Sequence, residues 1–180
     1  MNMKFLAIAL AIGSAGLTAG SQAFAAATII NPAGTIALGV NDQGHLNTTT
    51  GTVATNSSTT GLSYKFPDGS WRDATSPGCF CEGWGVSANG TTSGFANVST
   101  DGVVNLSLTS FASTASTATS VVSLTSLPSL NVTHAYAPST VASSTFFVAN
   151  VTISNTTGST LTDVKYVRVM DWDVPPTEFD

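Results

Sequence analysis

The sequence holds two cysteines, one residue apart, in the run Ser76-Pro77-Gly78-Cys79-Phe80-Cys81-Glu82-Gly83-Trp84-Gly85. Thiols this close can do one of three things. They can bond to each other, which an oxidising compartment favours and which is the expectation for Cys79 and Cys81. They can stay free and pack as small apolar groups. They can also supply half of a tetrahedral metal set, with His45 or His134 completing it. Thioredoxin-type redox motifs place two residues between the cysteines, so this spacing is a poor match for that chemistry.

Trp84 sits between two glycines. One reading makes it a core ring packed against close backbone. The other makes it an exposed aromatic that stacks on a sugar. A second candidate is Asp171-Trp172-Asp173. On a strand, residues i and i+2 point to one face, so Asp171 and Asp173 would form a carboxylate pair suited to Ca²⁺. Glu178 follows closely, but the glycine and third acidic position of an EF-hand loop are missing.

Catalytic motifs are scarce. The sequence has no G-x-S-x-G, no Walker loop and no H-E-x-x-H. It has two histidines, His45 and His134, and ten acidic residues with no evident pairing. An enzyme is therefore not expected, and no catalytic residue or cofactor is assigned. Five basic residues stand against ten acidic ones, for a net charge of −5. With no basic run to neutralise phosphates, nucleic-acid binding is excluded.

The elements that must hold these residues are β-strands. Only 8 % of the chain is charged, against about 25 % in ordinary soluble domains. Ser and Thr exceed a quarter of the 180 residues. Helix formers are few, and Thr favours strands. Period-two alternation marks Val103 to Phe111, Thr119 to Leu127, Thr145 to Ser154 and Leu161 to Trp172. Shorter runs lie at Thr35 to Val40, His45 to Asn47 and Gly61 to Phe66. Pro67-Asp68-Gly69-Ser70 is a turn, and Asn155 to Ser159 is expected to join the last two strands as a hairpin. The pattern predicts an all-β, antiparallel β-sandwich with Val104, Leu106, Leu108, Val151 and Ile153 facing the core.

Residues 1–25 read as a signal peptide. A short basic start ends at Lys4, an apolar run covers Phe5 to Ile12, and Ala23-Phe24-Ala25 fits the small-x-small cleavage pattern. The cut is expected before Ala26, with a second site before Thr28. The apolar run is too short to span a bilayer, which takes about 20 residues. No other segment is long and apolar enough, so no membrane span is expected. Residues 26–180 form the sandwich domain, and the sequence stops directly after a strand and a Pro-Pro pair. The domain is read as a fragment, incomplete at its C-terminus.

Several stretches together resemble bacterial exported proteins of the PEP-CTERM type. They are Asn31 to Asn41, Ala74 to Gly85, Thr133 to Ala137 and Val164 to Pro176, with the Cys79-to-Gly85 and Val169-to-Pro176 runs the most specific. The resemblance implies a cell-envelope protein linked to exopolysaccharide and biofilm, and it implies no catalytic residues. The Pro-Glu-Pro sorting tail, apolar helix and basic cluster of that type do not occur here. The expected function is a non-catalytic exported surface or matrix protein, with exopolysaccharide or other envelope components as partners. The alternative is a carbohydrate-active enzyme or sugar-binding module on a large sandwich.

Overall fold

A computed structural model of the chain describes residues 26–98, 102–174 and 176. The leader and Glu178 lie outside the described residues. The described residues hold no helix and twelve strands in three antiparallel sheets. The expected all-β antiparallel sandwich is therefore what the chain forms.

The first sheet runs β1 (Ala27–Ile30), β2 (Ile36–Val40), β3 (Leu62–Lys65), β4 (Trp71–Asp73), in that spatial order. Asn31 fixes its first hairpin: the Asn31 side-chain oxygen accepts from the N–H groups of Thr35 at 2.8 Å and Ile36 at 3.0 Å. Asp73 ties the other end. Its carboxylate accepts from Gly61 N–H, the Ser63 hydroxyl, and the N–H and hydroxyl of Thr75, at 2.5–3.1 Å. Gly61 has no room for a side chain, since a Cβ would meet Thr75 Oγ1 at 2.0 Å.

The second sheet contains β5 (Gly83–Ala88), β6 (Thr92–Asn97), β7 (Val103–Val104) and β12 (Lys165–Val169), in the order β12-β5-β6-β7. The third contains β8 (Leu106–Ser113), β9 (Ala118–Leu124), β10 (Leu127–Pro138) and β11 (Phe147–Asn155), in the order β11-β10-β9-β8. Together these three sheets make two layers. The inward face of the third sheet packs on both of the others. Val122, Leu124, Leu130 and Val132 meet Trp84, Val86, Ala88 and Ala96 of the second sheet. Ala118 and Tyr136 meet Ile29, Leu38 and Val40 of the first.

Several expectations are corrected. The run Val103 to Phe111 is two strands in different sheets. Asn105, at φ 54°, turns the chain between them, and its side chain bonds to Ser93 and Ser126. Val104 is consequently exposed, while Leu106 and Leu108 pack on the core as expected. The last two strands do not form a hairpin: β11 pairs with β10, and β12 pairs with β5. Val151 and Ile153 do face inward, opposite His134 and Val132, but each is 36 % exposed. They lie on an edge strand, where the facing layer does not cover them. In β3 the buried residue is Ser63, which donates into Asp73, while Tyr64 is exposed.

Candidate functional site

β10 is the element that organises the centre of the molecule. Its inward residues are Leu130, Val132, His134 and Tyr136. Val132 belongs to the cluster under the second sheet, and Tyr136 to the cluster under the first. His134 therefore lies at the seam where the two sheets meet over the third. The polar groups of the core gather at that seam.

Glu82 and Arg168 form its centre. Glu82 is fully buried, directly before β5, and Arg168 projects inward from β12 opposite Trp84. Nη2 of Arg168 lies 2.6 Å from Oε1 of Glu82, a close ion pair. Opposite charge and a short donor–acceptor contact both hold it. The other carboxylate oxygen accepts from the Leu46 N–H. The guanidinium stands 5.5 Å from the centre of the Tyr136 ring. Trp84 stacks on Tyr166 and tilts against His134, and His134 Nε2 lies 3.0 Å from the Tyr166 hydroxyl.

The same cluster clamps the loop after β2. Trp84 Nε1 donates to Gln43 O at 2.8 Å, the Tyr136 hydroxyl to Gly44 O at 2.6 Å, and the Ser120 hydroxyl to Asp42 O at 2.6 Å. Side chains of the second and third sheets thus hold a loop of the first. Gly44 is required there: its φ is +81°, and a Cβ would meet His134 Nδ1 at 2.5 Å.

Burial sets the electrostatics. It holds His45 down at about 4 and His134 down at about 3, and the Arg168 charge adds to both. Burial also pushes Glu82 up, against the pull of Arg168 and of the Leu46 N–H. Burial opposes the charge on Arg168 too, but Tyr136, Glu82 and Tyr166 outweigh it, and its pKa is raised. The guanidinium stays charged, and both imidazoles stay neutral near pH 7. The Tyr136 and Tyr166 phenols are pushed up mainly by burial, so neither is a ready proton donor.

The residues singled out in the sequence fall into two groups. Trp84, His45 and His134 come together at the seam. Trp84 is 2 % exposed, so it cannot offer its face to a sugar; the core reading holds. His45 and His134 are buried away from the cysteines and complete no metal set with them. Cys79 and Cys81 are bonded to each other. Asp171 is brought to them, with its Oδ2 3.3 Å from Cys79 Sγ. Cys79, Cys81 and Asp171 could converge on one ion, but sulfurs in a disulfide are not thiolate ligands. The strand premise for a Ca²⁺ pair does not hold, because β12 ends at Val169. Asp171 and Asp173 lie in irregular chain against the loop that carries the cysteines, with Asp173 N–H donating to Ala74 O at 2.9 Å. Trp172 between them is 53 % exposed.

Arg168 and Tyr136 went unread in the sequence. Arg168 carries a signal: basic residues number only five, and this one alternates with Tyr166 and Met170 inside an apolar strand. Val167 and Val169 lie on the other face of the strand. It is exposed, because the opposite face meets Glu82.

Arg168 also lines a cavity of about 420 Å³. Its walls come from β2, β3, β10, β11 and β12. Comparison with protein-family models, curated proteins and solved structures finds no match for the chain.

Proposed function

We propose that the chain is a non-catalytic exported protein of the bacterial cell surface or extracellular matrix, in contact with exopolysaccharide or other envelope components. The leader pattern, the low charge and the PEP-CTERM resemblance support export to the envelope. One structural observation carries the non-catalytic part. His45, His134, Asp73 and Glu82 are all buried, and the two carboxylates are engaged by the fold's own donors and charges. The groups best able to do acid–base chemistry build the sandwich.

The test is co-sedimentation of the mature protein with whole cells and with purified exopolysaccharide, alongside a panel of polysaccharide hydrolysis assays. Retention on either material without release of reducing sugar is the expected result. Free protein in both supernatants would overturn the reading. A sugar-binding module keeps one observation in its favour, the half-exposed Trp172. Retention that Trp172→Ala abolishes would move the assignment there.

A further inference from the structure

We propose that the cavity beside Arg168 binds a small, neutral, lipid-like molecule, with an apolar body and one carbonyl oxygen that accepts from the guanidinium. This goes beyond the envelope role and does not depend on it.

The space lies where β2 and β3 face the inner sides of the edge strands β11 and β12. At about 420 Å³ it falls within the range of small-molecule sites, about 300–1,000 Å³. Leu38, Leu62, Phe147 and Met170 supply apolar wall. Ser63 also lines it, but its hydroxyl is committed to Asp73 at 2.5 Å. Tyr64, 51 % exposed, and Phe146, 61 % exposed, stand at the same cavity and give it an apolar mouth.

Arg168 sets the polar requirement. Its Nη2 pairs with Glu82 at 2.6 Å, while its Nε and Nη1 are buried and lack a well-aligned acceptor. The Tyr136 and Tyr166 hydroxyls reach the guanidinium as hydrogen-bond partners at poor angles, and its five N–H groups outnumber these acceptors. A buried donor without an acceptor costs about 1–3 kcal/mol, and more when charged. An incoming oxygen would recover that cost. Its charge state follows from Glu82, which already neutralises the guanidinium. A carboxylate would bury a second negative charge with no second positive one, and an ammonium would be repelled. An ester or ketone brings the acceptor without a charge.

The experiment uses the mature full chain and Nile red, a neutral apolar dye, with methyl octanoate, octanoate and octylammonium as competitors. Saturable one-to-one uptake of the dye is expected. Methyl octanoate should displace it at a concentration about tenfold or more below either ion. Ala149→Trp, on the exposed wall at β11, should abolish uptake with the melting temperature unchanged. Arg168→Lys keeps a charge for Glu82 but loses the forked donors, and should weaken methyl octanoate by about tenfold. Absence of saturable uptake would overturn the proposal, as a water-filled cavity would produce it. Uptake insensitive to Ala149→Trp, or octanoate competing better than its ester, would overturn it equally.

Discussion

At the scale of single residues, the histidines make the sharpest statement about solution behaviour. Folded His45 and His134 bind protons far less readily than unfolded histidine, with values of about 4 and about 3 against 6.5. The unfolded chain therefore takes up more protons as pH falls below 6.5, and stability falls with it. Their contribution is complete above pH 6.5 and is lost progressively towards the folded values. Each histidine adds a slope of up to about 1.4 kcal/mol per pH unit in that window. Arg168 acts on both, His45 acts on His134, and the Tyr166 hydroxyl contacts His134. Arg168 stays charged throughout, and the Tyr166 phenol stays protonated. Glu82, shifted upward, acts in the opposite direction, because protonation relieves its burial. Urea unfolding from about pH 7.5 to about pH 4.5 should show the midpoint falling with acid. A flat profile would mean that the imidazoles are hydrated in the folded state. The sequence offered these histidines as spare metal ligands. Their neutral, buried role depends on partners 32 or more residues away, which spacing along one chain does not reveal.

At the scale of elements, legibility followed the covering of each strand's faces. The run read as Thr119 to Leu127 contains β9, which ends at Leu124 and holds Val122 and Leu124 inward, because it is covered on that face and paired on both sides. β11 was read with the correct inward set but the wrong burial. Alternation reports which residues share a face; it does not report whether a layer lies opposite. Val151→Asp should accordingly cost about 1 kcal/mol, the scale of strand propensity at an edge, and not the several expected for a sealed charge. Thermal denaturation measures it, and a loss large enough to prevent folding would mean that β11 is covered after all. β5 and β6 were missed because Gly83, Gly85 and Gly94 lower strand propensity. The close neighbouring strand requires the first of them: a Cβ on Gly83 would meet Asn97 Cβ at 2.6 Å. β10, the longest strand at 12 residues, was missed because His134 and Tyr136 break its apolar alternation. Those two residues are polar where they are because the seam is polar.

At the scale of the whole molecule, the central claim is that one buried ion pair ties the layers together. Glu82 receives the Leu46 N–H of the loop after β2 in the first sheet, Arg168 enters from the second, and Tyr136 of the third lies beneath the guanidinium. Sequence composition could announce a sandwich, but it could not announce that two sheets share one layer, since that rests on which loop reaches which strand. The most direct measurement is a double-mutant cycle on unfolding free energy, with Glu82→Gln, Arg168→Met and both together. Each single change should cost about 3–5 kcal/mol, because it strands a buried partner. The double change should cost less than the sum of the two by about 2 kcal/mol or more, since it strands neither. Additive costs, or single changes within about 0.5 kcal/mol of the parent, would contradict the claim and leave the seam held by apolar packing alone.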